Sequence, residues 1–174
     1  MKTVGIIIAK ENSNRFKGKN IFPVNGKPLF WYNVQCLLDA GIKDIYVATD
    51  SPVIKQYCID KNINVIDREI NIIYDEQAWF DVIKYCYFNL NKKYDVIVSI
   101  LANCLNHKSE DILKGLELLE KNNLQEIRSF NKEGVENGII MLKEKVILTK
   151  HEISSYIGSI KTNGKEIHYR DELK

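Results

Sequence analysis

The 174-residue sequence lacks the features that mark several classes of protein. No apolar run approaches the roughly 18 residues needed to cross a bilayer. The charged residues Lys10 and Glu11 end the apolar start, so it does not read as a signal peptide. The net charge is only +2, which is small for a nucleic-acid binder. With no low-complexity tract or internal repeat, these absences favour a cytoplasmic globular protein that has neither a nucleic-acid nor a membrane partner.

Cysteine is also scarce, and its spacing excludes two kinds of site. The four cysteines form no Cys-x-x-Cys pair, so the spacing of a zinc finger or a dithiol redox centre is absent. They are Cys36, Cys58, Cys86 and Cys104. Because most of them lie in apolar stretches, we expect buried free thiols that pack as small apolar side chains.

Apolar runs alternate with helix signals along most of the chain. Strands are predicted at residues 4–9, 44–48, 64–67, 94–101 and 126–130, and helices at 29–40, 52–61, 76–89 and 110–121. Ser51 and Ser109 are expected to cap the helices that follow them. Continuous apolar strands that alternate with helices are typical of an α/β domain with a mainly parallel sheet. Since no linker interrupts the pattern, residues 1–174 are expected to form a single domain.

The loop after the first strand concentrates positive charge. Residues 10–20 hold four bases, and residues 1–27 hold six bases against one acid. In open α/β sheets ligands bind beyond the carboxyl ends of the strands, where this loop begins. Its charges and hydrogen-bond donors suit the oxygens of a polyphosphate. The loop lacks the Gly-x-Gly-x-x-Gly and Gly-Lys-Ser/Thr motifs, so it is neither a dinucleotide fingerprint nor a P-loop. The alternative is a solvated basic loop without a ligand.

The spacing within this loop resembles a known signature. Residues 9–20 read Ala-Lys-Glu-Asn-Ser-Asn-Arg-Phe-Lys-Gly-Lys-Asn, which is similar to the acylneuraminate cytidylyltransferase pattern Ala-Arg-x-x-Ser-Lys-Arg-x-x-x-Lys-Asn. Five positions agree, namely Ala9, Ser13, Arg15, Lys19 and Asn20, whereas Lys10 and Asn14 stand where Arg and Lys are usual. Similar segments follow in register at residues 26–29, 45–51, 68–75 and 137–140. The resemblance therefore spans nearly the whole chain.

This resemblance implies both a fold and a reaction. The fold would be a Rossmann-like three-layer sandwich of the nucleotide-diphospho-sugar transferase type. The reaction would transfer CMP from CTP to a sugar acid or other small acceptor and release pyrophosphate, for surface polysaccharide synthesis. Such transfers depend on positioning and on neutralising negative charge. The implied catalytic residues are Lys19 and Arg15, and the implied nucleotide-binding residues are Ala9, Lys10, Asn12, Ser13, Asn20, Arg68, Gln77 and Trp79. Lys19 as a surface lysine and Trp79 as a core aromatic are the alternatives.

The acceptor motif departs from the family pattern. Where the family has Gln-Pro-Thr-Ser-Pro-Leu-Arg after its fourth strand, residues 101–107 read Leu-Ala-Asn-Cys-Leu-Asn-His. We expect Asn103 and His107 to address the acceptor, with a solvated loop histidine as the alternative for His107. Lys108 is a candidate cation for an acceptor phosphate. Two further hypotheses stay open, namely a CTP-dependent transferase acting on a phosphorylated polyol, sugar or phosphonate, and a non-catalytic nucleotide-binding relative.

The metal motif and the length depart as well. The family's Asp-Ile-Asp, which holds magnesium, is replaced by Glu166-Ile167-His168, with Glu172 nearby. Strand alternation would place Glu166 and His168 on one face, where they could hold a divalent metal, Mg or Mn. His168 as a base on the acceptor hydroxyl and a plain surface pair are alternatives. The family's dimerisation segment is missing between residues 122 and 137, so a monomer or a non-standard homodimer is expected.

Overall fold

A seven-stranded sheet forms the centre of the computed structural model, which describes residues 1–11, 15–68, 78–149 and 156–173. The helices are α1 (Leu29–Asp39), α2 (Pro52–Asp60), α3 (Ala78–Phe88), α4 (Ser109–Lys121) and α5 (Glu144–Leu148). The strands are β1 (Thr3–Ile8), β2 (Pro23–Val24), β3 (Lys27–Pro28), β4 (Asp44–Thr49), β5 (Asn64–Asp67), β6 (Val96–Leu101), β7 (Cys104–Leu105), β8 (Glu126–Phe130), β9 (Glu136–Lys143), β10 (Ile157–Lys161) and β11 (Lys165–Glu166).

The order of the strands across the sheet is β10-β8-β9-β6-β1-β4-β5. Strand β1 pairs in parallel with β4 and β6, and β4 pairs in parallel with β5. Strand β9 is antiparallel to both β6 and β8, which it separates. Two small antiparallel pairs, β2 with β3 and β7 with β11, lie outside the main sheet. The sheet is therefore mainly parallel, as the sequence pattern predicts.

Apolar helix faces cover both sides of the sheet. Neighbouring residues of β1 divide between the two sides, with Ile7 in one buried cluster and Ile6 in the other. The first cluster includes residues of α1, α2 and α4, and the second includes residues of α3 and α5. Because strands covered on both faces must be apolar at nearly every position, the continuous apolar runs of the sequence follow from this layering. The expected three-layer α/β sandwich is confirmed.

Most of the predicted elements match, and two details need correction. Ser51 caps α2 as expected, since its Oγ accepts a hydrogen bond from the Ile54 amide. Ser109, by contrast, is the first residue of α4 rather than its cap. The carboxylate of Asp111 accepts the amide of Lys108 at 3.0 Å, so the cap interaction comes from within the first turn. The fourth predicted strand begins at Val96 instead of Tyr94.

All four cysteines are buried and free, as predicted. Cys104 also marks a close approach between β7 and β9. A Cβ atom at Gly138 would clash with the Cys104 sulfur, and Gly138 has a φ of +100°. Only glycine adopts this conformation readily, so both its backbone and its surroundings require glycine. None of the helices described has the length and apolar character that a membrane crossing requires.

A comparison of two glycines tests this close approach. Gly134 also has a positive φ, of +82°, but a Cβ there would meet nothing within 4 Å. We expect Gly134→Ala to lower the free energy of unfolding by about 1–2 kcal/mol, which is the cost of a left-handed residue. Gly138→Ala should lower it by a further 1–3 kcal/mol or so, because the added carbon overpacks the core. Urea unfolding measures both values, and equal losses would contradict the proposed clash.

Candidate active site

The carboxyl ends of four strands meet at one edge of the sheet. Because β1, β4, β5 and β6 are parallel, the segments that follow them begin side by side. Backbone bonds extend this edge beyond the strands, with the Ala9 amide donating to Ala48 and the Arg68 amide donating to Thr49. The Glu11 amide donates to the Asp50 carboxylate at 2.8 Å. The basic loop therefore starts in the crevice where α/β proteins bind ligands.

Four cations face this crevice, namely Lys10, Arg15, Lys19 and Arg68. Burial lowers the pKa of Lys10, and the charge of Arg68 lowers it further, while Asp50 opposes this shift. Burial also lowers the pKa of Lys19, and the nearby charge of Arg15 adds to the effect. Arg68 is only 7% exposed. We call these four residues the cationic cluster. Their mutual repulsion makes the crevice a site that favours an anion.

Lys19 joins three separate segments of the chain. It opens a short 3-10 helix, Lys19–Ile21, after Gly18 in a left-handed conformation with φ of 67°. Its Nζ donates to the main-chain oxygen of Ile167 at 3.0 Å, and Nδ2 of Asn103 donates to the same oxygen at 3.1 Å. The Ile167 amide in turn donates to the Asn103 carbonyl at 2.8 Å. The structure thus brings together Lys19, predicted as catalytic, and Asn103, predicted to address the acceptor.

Asn20 holds the start of the basic loop through its amide nitrogen, while its amide oxygen is unpaired among the described residues. It is 5% exposed, and its Nδ2 donates to the carbonyl of Lys10 at 2.8 Å. Its Oδ1 is buried and has no hydrogen-bond partner within the described part of the chain. A buried amide oxygen without a partner is costly. Asn20 is therefore ready to accept a hydrogen bond from a ligand in the crevice.

The other predicted nucleotide contacts lie around α3. The indole nitrogen of Trp79 donates to Ser99 Oγ at 3.1 Å, and its ring packs against the second core cluster. Arg68 lies near the same helix, since its positive charge acts to lower the pKa of Cys86 in α3. Burial outweighs this effect and raises that pKa to about 12. The bond to Ser99 and the packing against the core together fix the orientation of the Trp79 ring. Asn12, Ser13 and Gln77 lie outside the described residues.

His107 is held in a polar network instead of standing free in solvent. Its Nε2 lies 2.7 Å from the carbonyl oxygen of Asn137, and its Nδ1 lies 3.4 Å from Thr162 Oγ1. A Cβ at Gly164 would collide with the imidazole, so the backbone there packs directly against the ring. Burial lowers the pKa of His107. The ring is therefore neutral at pH 7 and donates from Nε2, which does not match the alternative of a solvated loop histidine.

The predicted metal ligands lie together near the end of the chain. Nε2 of His168 lies 3.5 Å from Glu166 Oε2. The carboxylate of Glu172 is engaged by the backbone, because it accepts hydrogen bonds from the amides of His168 and Tyr169. These bonds lower the pKa of Glu172. Within the described residues, no three His, Cys, Asp or Glu side chains form a metal cluster. Glu166 and His168 therefore fit a metal only as two ligands, the remainder coming from phosphate oxygens and water.

Two contributors were not predicted from the sequence. Asn33 of α1 is 1% exposed, and its amide nitrogen donates to the carbonyls of Leu101 and Cys104, which fixes the segment after β6. A polar residue within the apolar run Phe-Trp-Tyr-Asn-Val is a signal that could have identified it. The second contributor is the main-chain oxygen of Ile167. A backbone contact depends on no residue type, so the sequence holds no comparable signal.

Comparisons with known proteins identify the family of the chain. The cytidylyltransferase family model matches residues 4–165. An N-acylneuraminate cytidylyltransferase from Streptococcus agalactiae serotype V is 25% identical over 134 residues, which cover 75% of this chain and 32% of that protein. A 3-deoxy-manno-octulosonate cytidylyltransferase from Zea mays is 31% identical over 102 residues, covering 57% of this chain and 32% of that protein. The chain thus spans about a third of the length of these curated relatives.

Solved structures share the fold over nearly the whole chain. The CMP:2-keto-3-deoxy-manno-octonic acid synthetase complexed with CTP has a TM-score of 0.79 and 14% identity, covering 99% of this chain and 95% of that one. Rv0371c from Mycobacterium tuberculosis in complex with manganese has a TM-score of 0.74 and 8% identity, covering 99% and 96%. The likeness in structure concerns the fold, whereas the family model matches the sequence itself. On that match, this chain belongs to the cytidylyltransferase family.

Proposed function

We propose that the chain is a CTP-dependent nucleotidyltransferase that transfers CMP to a hydroxyl of a small acceptor and releases pyrophosphate. The observation that carries this proposal is the cationic cluster at the carboxyl edge of the sheet. Four cations converge there although their repulsion and burial lower the pKa of both lysines. A triphosphate supplies the opposing charge. The relatives named above are cytidylyltransferases, and one structural neighbour is a complex with CTP, which supports CTP as the nucleotide.

The reaction requires charge neutralisation and alignment more than covalent chemistry. The acceptor oxygen attacks the α-phosphorus, the bond to the pyrophosphate oxygen breaks, and the hydroxyl proton leaves to a base. Lys19 and Arg15 would stabilise negative charge on the transferred group, and Lys10 would neutralise the leaving phosphates. Asn20 and the backbone near Ala9 would hold the nucleotide, together with Asn12 and Ser13. Arg68, Gln77 and Trp79 would line the base site.

A divalent metal, Mg or Mn, is part of the proposal. Glu166 and His168 would hold it, and it would screen charge on the phosphates. The charge of Glu166 also raises the pKa of Lys19, so this carboxylate lies close to the proposed catalytic lysine. One structural neighbour is described as a manganese complex, which supports a divalent metal on this fold. The alternative for His168, a base on the acceptor hydroxyl, remains open in the same proposal.

The acceptor we propose is a sugar acid or a similar small molecule, used for surface polysaccharide synthesis. Acylneuraminate and manno-octulosonate, in the names of two relatives, are both sugar acids. Asn103 lies beside Lys19, because both side chains donate to the main-chain oxygen of Ile167. It would therefore contact an acceptor next to the transferred phosphate. His107, with both ring nitrogens engaged, would act by shaping the acceptor side rather than by moving a proton. A phosphorylated acceptor is the second candidate, for which Lys108 is the available cation.

The proposal also includes the number of domains, the oligomeric state and the location of the protein. The five described helices pack against one sheet, which supports a single domain over residues 1–174. Between α4 and β9 the chain forms only β8 and two short connections, without room for an inserted dimerisation segment. This supports a monomer or a differently built dimer. Use of CTP agrees with a cytoplasmic location.

Nucleotide binding and turnover are the first test. CTP at a hundred times its dissociation constant should stabilise the protein by roughly 2.7 kcal/mol, whereas UTP, ATP and GTP should not. Thermal shift with Mg or Mn measures this effect. With a sugar acid present, pyrophosphate release should follow, and Lys19→Met should slow it by about 10²-fold or more. Lys17→Met, at an exposed lysine of the same loop, is the matched control.

Each outcome of this test has a defined meaning. A selective CTP shift with pyrophosphate release from a sugar acid or a sugar phosphate establishes the transferase and its acceptor class. CTP binding without pyrophosphate release from any acceptor favours the non-catalytic relative. If no triphosphate shifts the melting temperature, the assignment of the cationic cluster to a nucleotide is wrong. An unchanged rate in Lys19→Met would remove Lys19 from the mechanism.

The same variant should show a trade-off between function and stability. The lowered pKa of Lys19 means that its charged form is less favourable in the folded than in the unfolded protein. This cost is fully present at any pH below the lowered pKa, where both states carry the charge. Lys19→Met removes the cost, and the Ile167 oxygen keeps its bond from Asn103. Without nucleotide, urea unfolding at pH 7 should give an unfolding free energy at or above that of the unaltered protein. A clear loss of stability would show that Lys19 is structural.

Binding of CTP should weaken at alkaline pH. The proposed contacts need protonated lysines, and burial lowers the pKa of both Lys10 and Lys19 below the usual lysine value. As the pH rises through these lowered values the charges are lost, so CTP affinity should begin to fall at a lower pH than the usual lysine pKa of about 10.4 would give. Titration calorimetry at several pH values measures the decline. Lys19→Arg should move part of it to higher pH, since guanidinium stays charged. Constant affinity up to pH 10 would contradict the lysine contacts.

A further inference from the structure

Asn33 is a polar residue on the apolar face of α1. Its neighbours on that face, Phe30, Val34 and Leu37, are fully buried in the first core cluster, and Asn33 itself is 1% exposed. Burial of an amide in such surroundings is unfavourable unless its polar atoms form hydrogen bonds. The packing of α1 therefore fixes the place of the Asn33 side chain, and its hydrogen bonds compensate for its burial.

The amide of Asn33 holds the backbone on both sides of Asn103. Its Nδ2 donates to the carbonyl oxygen of Leu101 at 3.1 Å and to that of Cys104 at 2.8 Å, and the Ala102 carbonyl lies 3.4 Å away. Each of the two amide hydrogens thus has a main-chain acceptor. Because these acceptors flank Asn103 in sequence, one side chain of α1 fixes the segment that carries Asn103.

Asn103 connects this segment to Lys19. Its Nδ2 donates to the main-chain oxygen of Ile167 at 3.1 Å, and its carbonyl accepts the Ile167 amide at 2.8 Å. Nζ of Lys19 donates to the same Ile167 oxygen at 3.0 Å. The path from α1 to the ammonium group of Lys19 therefore consists of hydrogen bonds of ordinary length.

A second link runs through the β7–β11 pair. Cys104, whose carbonyl accepts a bond from Asn33, lies opposite Glu166 in this pair. Burial lowers the pKa of Lys19, and the charge of Glu166 opposes this shift, which places the carboxylate near the ammonium group. The segment that Asn33 fixes therefore sets both the oxygen to which Lys19 donates and the strand that carries the nearby anion.

We propose that Asn33 is a positioning residue for the proposed nucleotidyl transfer. It acts through Asn103 and the Ile167 oxygen, which hold the ammonium group of Lys19 where negative charge develops on the transferred phosphate. This role rests on the proposed function, because the reaction is the one attributed to Lys19. It goes beyond that function, since α1 carries none of the four cations of the cluster. A small displacement of a reacting group can slow an enzyme by about 10²-fold.

The first test replaces Asn33 by leucine, which has nearly the same size but donates no hydrogen bond. Asn33→Leu should lower kcat by about 10- to 10²-fold. Its KM for CTP should change by less than about threefold, because the other cations of the cluster remain. Pyrophosphate release measures both constants, with CTP and whichever of 3-deoxy-manno-octulosonate and N-acetylneuraminate reacts with the unaltered protein.

Ser129→Ala is the matched control. Ser129 is fully buried in β8, and its Oγ accepts the Ile139 amide at 2.8 Å. The variant therefore also loses a buried hydrogen bond, but one between β8 and β9 instead of one that leads to Lys19. Its kcat should stay within about twofold of the unaltered value. Equal losses of kcat in Asn33→Leu and Ser129→Ala would overturn the inference.

A conservative variant guards against a failure to fold. Asn33→Ser keeps one hydroxyl donor in place of two amide hydrogens. Its kcat should lie between that of Asn33→Leu and that of the unaltered protein. If Asn33→Leu does not fold, Asn33→Ser decides the matter alone, and an unchanged kcat in that variant would overturn the inference.

A double variant separates positioning from a merely structural role. In the Lys19→Met protein the group that Asn33 positions is absent, so adding Asn33→Leu should slow the residual reaction by less than about twofold. A structural role would instead lower the rate by the same factor with and without Lys19. That additive outcome would overturn the inference even if Asn33→Leu alone is slow.

Hydrogen exchange provides a readout that does not depend on activity. The amide of Ile167, which donates to Asn103, should exchange roughly tenfold faster in Asn33→Leu than in Ser129→Ala when measured by NMR. An unchanged rate of exchange would overturn the inference and leave the proposed function intact. If the unaltered protein releases no pyrophosphate with either acceptor, the proposed reaction fails, and with it the role of Asn33 in that reaction. Faster exchange of the Ile167 amide would then still show that Asn33 holds the segment.

Discussion

The main-chain oxygen of Ile167 is the point on which the geometry of the crevice depends. It accepts hydrogen bonds from Lys19 in the basic loop and from Asn103 after β6, while the Ile167 amide returns a bond to Asn103. Three segments that are far apart in sequence are thereby fixed at one atom. Ile167 itself is fully buried, so apolar packing holds this oxygen in place. The position of the proposed catalytic lysine is thus set by a backbone group that contributes no charge of its own.

The rigid sheet explains how the crevice tolerates four neighbouring cations. Strand β1 is buried on both faces, so the core sets the backbone that leads to Lys10. Arg68 follows the edge strand β5 and is held to β4 by the bond from its amide to the Thr49 carbonyl. Asp50 opposes the lowering of the pKa of Lys10, and Glu166 opposes that of Lys19. Stability lost through such repulsion is typical of binding sites, where a bound ligand adds charge of the opposite sign.

The sequence best predicted the features that depend on residue type and on the spacing of apolar and basic residues. Continuous apolar runs located the buried strands, and the spacing of bases in residues 10–20 indicated the site that we propose for a polyphosphate. Strand β9 and the pairing of β7 with β11 were not predicted, because an antiparallel strand between β6 and β8 depends on contacts across the sheet. The enclosure of His107 could not be foreseen either, since it depends on two glycines, Gly138 and Gly164, that approach from elsewhere in the chain.

The segment after β6 connects the proposed catalytic lysine to helix α1 through consecutive residues. The side chain of Asn103 donates to the Ile167 oxygen beside Lys19, while the carbonyl of Cys104 accepts a bond from the buried amide of Asn33 in α1. The pairing of β7 with β11 then fixes Cys104 opposite Glu166, a proposed metal ligand. Since every one of these links is a backbone hydrogen bond or a buried amide, the segment is stiff, and stiffness is what positions two reactants without further loss of entropy.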